Sequence, residues 1–253
     1  MLLYTSSWSL FRREVVRFLR QRSRLIGAFI QPVLFWAVLS SGMKASFKPA
    51  GYESVSALDY FMPGFMIMIV LFTAIFSTFS IIEDRKDGFL QGLLVSPAPR
   101  LSIVIGKLAA GSFLGVLQAL VFFLISLPFT EQSMSFINFV FSIVILLWIG
   151  FTLTGLGFLF AWKMESTQGF HSVIMLVMLP MWFFSGAFFP VTGIPTWMQM
   201  CMKLNPLTYG MDMIRLTMAK ELPKIEQIGT PAIFFAIFTL LIVFFSVKIT
   251  KRN

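Results

Sequence analysis

The chain has 253 residues, 57% of them hydrophobic and only 12% charged, against roughly a quarter charged in an ordinary globular domain. A single cysteine, Cys201, excludes an internal disulfide framework, and the net charge of +9 does not point to nucleic acid, because the basic residues flank apolar blocks instead of covering a solvated readout surface. With a mean hydropathy of +0.85 and apolar blocks of about 20 residues, the length that crosses a hydrocarbon core of about 30 Å, the composition predicts one membrane domain over 1–253 and no soluble one.

The N-terminal segment, 1–24, reads as an amphipathic helix. Tyr4, Trp8, Phe11, Val15, Phe18 and Leu19 share one stripe, while Arg13, Arg17, Arg20 and Arg24 take the opposite face. Such a helix is expected to lie in the headgroup plane, either as an anchor for the first span or as a relay of motion from a cytoplasmic partner. Apolar blocks follow at 25–43, 61–82, 101–127, 137–161, 172–189 and 231–247. The 24 residues before the first block are too long and too arginine-rich for a secretory signal, which favours a retained span. Pro128 and the run from Thr130 to Ser135 separate the third and fourth blocks, Pro180 lies inside the fifth, and Pro231 is expected to start the sixth helix. The segment 190–230 is too apolar for a free loop. It divides at Asn205-Pro206 into two pieces, Pro195 to Leu204 and Leu207 to Ala219, each too short to span and so expected to be re-entrant or interfacial on the outer side.

Lysine and arginine orient the chain. With the N-terminus inside, the cytoplasmic segments hold fourteen: Arg12, Arg13, Arg17, Arg20, Arg22, Arg24, Arg85, Lys86, Arg100, Lys107, Lys163, Lys248, Lys251 and Arg252. The outside holds six: Lys44, Lys48, Lys203, Arg215, Lys220 and Lys224. This is the positive-inside bias, and it predicts an all-α integral membrane protein with six spans and both termini in the cytoplasm.

No ionisable residue falls in the middle of a block. Lys107 stands one or two turns inside the third and is expected to snorkel to the headgroups, and Asp59 and His171 mark block ends. A proton- or sodium-coupled carrier needs a carboxylate or a broken-helix ion site near the midplane, so the driving energy is expected to come from outside the chain. Catalytic patterns are equally scarce. One histidine and one cysteine cannot build a metal or thiolate cluster, no Gly-x-Ser-x-Gly elbow occurs, and Gly106-Lys107 lacks the glycine and hydroxyl of a phosphate-binding loop. The reading is therefore a non-enzyme that binds no cofactor or metal itself. Asp212 and Arg215, three apart, can pair on one helix face, and two readings stand: a plain pairing at depth or a candidate outer gate.

The loop 83–100 carries the most information. Acidic residues open it, Ser96-Pro97-Ala98-Pro99 closes it, and a short amphipathic helix lies between, with Phe89, Leu90, Leu93 and Leu94 on an apolar face. Spacing alone leaves two uses open, a connector lying on headgroups or a plug for a groove on a partner. This loop, with Glu83, the Leu93-Leu94-Val95-Ser96-Pro97 run, Arg100 and Gly106-Lys107, resembles the signature of the type 2 ATP-binding-cassette (ABC) export permeases. A second stretch agrees: Phe184-Ser185-Gly186-Ala187-Phe188-Phe189-Pro190, Ile194-Pro195-x-Trp197, Asn205-Pro206-Leu207-Thr208-Tyr209 and Arg215.

The resemblance implies a pair of permeases, a homodimer being favoured and a heterodimer left open, bound to two copies of a separate ATPase that holds ATP and magnesium, in a bacterial cytoplasmic (inner) membrane. It implies export of a drug, lipid or lipid-linked glycan, and it gives Glu83, Arg85, Lys86, Phe89, Leu90, Leu93, Leu94 and Pro97 the role of the ATPase-coupling element. The fifth block offers a soft aromatic surface through Met178, Trp182, Phe183, Phe184 and Phe188, a candidate substrate path for an amphiphile or else a plain lipid or helix contact. A non-transport assembly or sensor subunit using the same fold is the alternative.

Overall fold

The computed structural model describes residues 2–43, 55–131, 134–190, 193–219 and 224–251. Lys44, Lys48, Lys220 and Arg252 of the charge pattern lie outside them. The described residues form ten α-helices and no strand: α1 (Leu2–Arg20), α2 (Arg22–Met43), α3 (Ala57–Lys86), α4 (Phe89–Val95), α5 (Arg100–Ser126), α6 (Phe136–Lys163), α7 (Thr167–Trp182), α8 (Thr196–Leu204), α9 (Pro206–Met218) and α10 (Ile225–Lys251). Six of these, α2, α3, α5, α6, α7 with its following turn, and α10, are long and apolar enough to cross a membrane. Each begins before its apolar block, and α3, α6 and α10 also end beyond theirs, because a helix continues into the headgroup layer after hydrocarbon-compatible side chains stop.

The central post is α3. Of its most apolar stretch 89% is buried, against 22% in α2 and in α10, so α3 is wrapped by protein while those two stand at the periphery. Their outward side chains are apolar: Val38, Leu240 and Phe244 are each more than half exposed. In water that surface would aggregate; toward acyl chains it is the solvated side. Small residues let the inner helices close on one another. A methyl at Gly111 would meet Thr154 Oγ1 of α6 at 2.6 Å and Ser77 Oγ of α3 at 2.7 Å, and one at Gly115 would meet the Val70 backbone at 3.2 Å, so the Gly111-x-x-x-Gly115 spacing is a packing seam.

Helix starts follow local chemistry. Ser56, Ser135 and Ser166 each accept the backbone N–H three residues on, at the heads of α3, α6 and α7. Asn205 caps α9 through Leu207 N–H, with Pro206 in the first turn. The dipeptide read as a breaker is thus also a helix start. Two boundaries differ from expectation. The last helix starts at Ile225, with Pro231 inside it, since a proline in the second turn costs only one ladder bond when neighbouring turns are apolar and satisfied. The fifth span runs Thr167–Trp182 and ends in a π-turn, Phe183–Ala187, with Gly186 at φ 85°, a left-handed conformation that favours glycine.

Contacts align the ends. Arg24 at the head of α2 pairs with Glu83 near the foot of α3, and Lys107 of α5 pairs with Asp84. Arg85 reaches the carbonyls of Trp162 and Met164 at the foot of α6. α1, α4 and these termini therefore share one end. At the far end Trp36 of α2 donates to Leu58 O of α3, and Asn138 of α6 donates to Ala219 O just after α9.

Candidate functional site

Behind α4 the chain buries a charge cluster that its spacing does not disclose. Four cations, Arg13, Arg17, Arg24 and Lys107, meet three carboxylates, Glu14, Glu83 and Asp84, drawn from α1, α2, α3 and α5. Arg13 donates to both Asp84 oxygens, at 2.6 and 3.2 Å, in a bidentate fork. Arg17 bridges Asp84 at 2.6 Å and Glu83 at 2.7 Å. The Lys107 ammonium donates to Glu14 at 2.8 Å, Asp84 at 2.7 Å and Ser80 Oγ at 3.2 Å, which uses its three protons. The side chains of Asp84 and Lys107 are 1% and 3% exposed. Lys107 does not snorkel, because its partners sit beside it and the helix α1 lies over it. Gly106 permits that overlay: a methyl there would stand 2.8 Å from Ser7 O and 2.9 Å from Leu10 Cβ of α1.

The cluster also corrects the reading of α1. The arginine face was expected outward, yet Arg13, Arg17 and Arg24 turn in toward the carboxylates. Tyr4, at 75% exposed, and Trp8, at 56%, turn out. A helical wheel assigns burial to apolar residues because it cannot see carboxylates some seventy positions away. Glu14, Asp84 and Ser80 were missed as site residues for the same reason. The one available signal was an acidic residue inside an otherwise basic α1.

The short helix expected in the loop is α4, and Gly88 at φ 76° turns the chain into it. Its faces divide differently from the amphipathic reading. Leu90 is buried and Leu94 packs on the core, Leu93 is half-buried, and Lys86, Phe89, Val95 and Pro97 are exposed. Leu90 and Leu94 therefore seat α4 on the chain's own helices, and Leu90, 3% exposed, is not available to a partner. Glu83 and Arg85 are likewise engaged inside the chain, with Arg85 stapling the foot of α3 to the α6–α7 junction. Val95, 86% exposed, was not among the expected contact residues. Arg13 stacks over the Phe89 ring at 3.8 Å, which links the outer face of α4 to the cluster.

At the far end the second set of motif residues turns out to be one hydrogen-bonded knot. The π-turn frees carbonyls that water would satisfy elsewhere. Here Asn205 donates to Met181 O at 2.6 Å, Thr208 to Phe184 O at 3.2 Å and Arg215 to Gly186 O at 2.9 Å. Among the described residues no ion pair joins Asp212 and Arg215, since Arg215 is drawn to that carbonyl and to the Tyr60 ring, 4.1 Å from its centroid. Burial pushes the Asp212 carboxyl up to about 6, and the charge of Arg215 offsets this only in part. Because the folded value is raised above the unfolded one, the protonated form favours the fold, and that contribution is lost as pH rises through about 6. Asp212→Asn is therefore expected to raise the melting temperature above about pH 6 and to leave it unchanged below about pH 4, as a thermal scan across pH would read.

The candidate path residues separate into three groups. Met178 and Trp182 are core, at 0% and 2% exposed, and the Trp182 indole donates to Gly64 O at 2.7 Å. Phe184 turns aside to meet Trp197 edge-on. Phe183 and Phe188, with Phe35, Phe65 and Met175, line an open groove of about 620 Å³ between α2, α3 and α7, in which Gln31 is the polar lining residue. The edge of Trp182 forms its floor. His171 stacks on Phe76 in the second turn of α7, a packing role and no catalytic constellation. No group of three or more His, Cys, Asp or Glu side chains placed to hold a metal ion occurs among the described residues.

The model of the ABC-2 type transporter family matches residues 5–219, which span both the charge cluster and the far-end knot. The chain is 30% identical over 209 residues to the ycf38 transport permease of Cyanophora paradoxa, covering 81% of this chain and 71% of that one. It is 24% identical over 238 residues to the inner membrane transport permease YadH of Escherichia coli K12, covering 92% and 91%. It is also similar, at 28% over 173 residues and 65% and 45% coverage, to a protein named as a probable multidrug ABC transporter permease, YbhR, of the same strain. The chain belongs to the ABC-2 type transporter family, as a multi-pass membrane protein built on six apolar helices.

Proposed function

We propose that this chain is the permease subunit of an ABC exporter, moving an amphiphile out of the cytoplasm or the inner leaflet of a bacterial cytoplasmic membrane. ATP with magnesium supplies the energy in a separate ATPase subunit, two copies of which pair with two copies of the permease. The observation that carries the reading is α4, a short helix with an exposed face whose root is tied by ionic and hydrogen bonds to four other helices. A push on Phe89, Val95 and Pro97 passes through Asp84 and Glu83 to α1 and α2, through Lys107 to α5, and through Arg85 to the α6–α7 junction. Charge-assisted bonds of this density resist shear better than an apolar contact. The α4 end also collects most of the described lysines and arginines, which supports placing it and both termini in the cytoplasm and α8 and α9 outside as re-entrant elements.

The groove lined by Phe183 and Phe188 suits the apolar part of a substrate, with no described ionisable side chain on its wall. Likeness to a protein named for multidrug transport favours a drug-like substrate.

The test is affinity purification from the native membrane in mild detergent, with ATP hydrolysis assayed on the product. A soluble subunit carrying a phosphate-binding loop is expected to accompany the chain. Val95→Asp combined with Phe89→Ala should release it and remove the hydrolysis while the chain stays folded, at a cost of about 1 kcal/mol for the lost stacking of Arg13 on Phe89. A chain that purifies without an ATPase, or a double variant that keeps it, would overturn the reading.

A further inference from the structure

The outer flank of α6 and α10 holds a feature that coupling does not use. Halfway along, these two helices are pinned. Trp148 Nε1 and Thr152 Oγ1 meet Thr239 Oγ1 at 2.9 and 2.8 Å, and Gly155 admits Ile242 so closely that a methyl there would stand 2.5 Å from its Cγ2. Below that crossing the helices part toward the α4 end and leave a groove of about 650 Å³. Its walls include Leu156, Leu159, Phe160 and Phe245, and Lys163 and Lys248, in the last turns of α6 and α10, stand at its mouth. Both lysines are exposed, and among the described residues neither takes part in an ion pair.

We propose that this groove is a binding site for an anionic phospholipid, with an acyl chain between α6 and α10 and the headgroup phosphate between Lys163 and Lys248. An apolar slot between spans, ending in two basic side chains at headgroup level, has the chemistry that recognises such lipids. The volume lies within the range of ligand pockets. Charge decides between occupants. A second copy of the chain related by a two-fold axis would set this patch against itself and bring like charges together. A zwitterionic lipid would leave both lysines without net compensation.

The experiment is native mass spectrometry of the detergent-purified chain mixed with equal amounts of palmitoyl-oleoyl phosphatidylglycerol and phosphatidylcholine. One phosphatidylglycerol per chain is expected to be retained in preference to phosphatidylcholine. Each lysine should contribute roughly fivefold to that preference. Lys163→Gln with Lys248→Gln should bring it close to unity at an unchanged melting temperature. Leu159→Trp, which fills the slot, should remove retention of both lipids. Equal retention of the two lipids by wild type, or a double lysine variant that keeps the preference, would overturn the proposal. Displacement of the lipid by millimolar inorganic phosphate would assign the site to phosphate alone. A shift in the monomer–dimer ratio of the lysine variant without a change in lipid count would assign the face to a contact between copies.

Discussion

Asp84→Asn is expected to destabilise the protein by about 3–5 kcal/mol, because it leaves buried cations without their shared counter-charge. The substitution keeps the shape of the side chain and removes only its charge, so four cations would face two carboxylates where they now face three. Arg13, Arg17 and Lys107 all lose an ionised acceptor at once, and at Lys107, 3% exposed, water cannot replace it. Lys107→Met should cost a comparable amount, since Asp84 and Glu14 then lose the ammonium between them. The double variant Asp84→Leu with Lys107→Met should cost distinctly less than the two single losses added, because the desolvation of the pair disappears together with its attraction. Thermal unfolding in detergent, followed by tryptophan fluorescence, reads all three. If Asp84→Asn melted with wild type, the cluster would not be what holds α1 to α3 and α5.

Trp182→Ala should remove about 3–5 kcal/mol of stability, whereas Phe183→Ala, which truncates a side chain 36% exposed, should cost distinctly less and alter transport. Trp182 is 2% exposed, meets Phe65 and Phe183 at centroid distances of 5.5 and 5.1 Å, and satisfies the Gly64 carbonyl. Its loss opens a cavity at the junction of α3 and the π-turn, so the amount of folded protein should fall whichever substrate is assayed. Phe183, 36% exposed on the groove, should instead change the ranking of substrates in a vesicle uptake assay with a panel of amphiphiles. Equal effects of the two variants on stability would remove the distinction between core and groove. An unchanged ranking for Phe183→Ala would take the groove out of the substrate path.

The span count and the short helix in the loop were legible in the sequence because both rest on patterns within one segment. A run of about 20 apolar residues has to be helical in hydrocarbon, where backbone groups find no other partners. Ser96-Pro97-Ala98-Pro99 has to end a helix for local steric reasons. The same holds for Asn205-Pro206, whose capping oxygen and fixed φ act within one turn. Prolines were weaker guides. Pro231 signals a helix start on propensity, and the structure places it within α10, because a lipid-facing helix of that length has enough other ladder bonds to absorb one missing donor.

What the sequence by itself determined is the solvent of this protein, the number of its spans, and the two stretches where its backbone breaks from regular helix. The tertiary structure alone decided which face of each helix is inside. Arg13 and Arg17 look like solvated charges until Asp84 arrives from 71 and 67 positions away, and Lys107 looks like a snorkelling lysine until Glu14 arrives from 93. Leu90 looks like a docking residue until α4 lies down on its own permease. Each of these assignments depends on a contact between distant segments, and the free energy that settles it, the cost of burying a charge or leaving one unpaired, belongs to the pair and is written in neither segment.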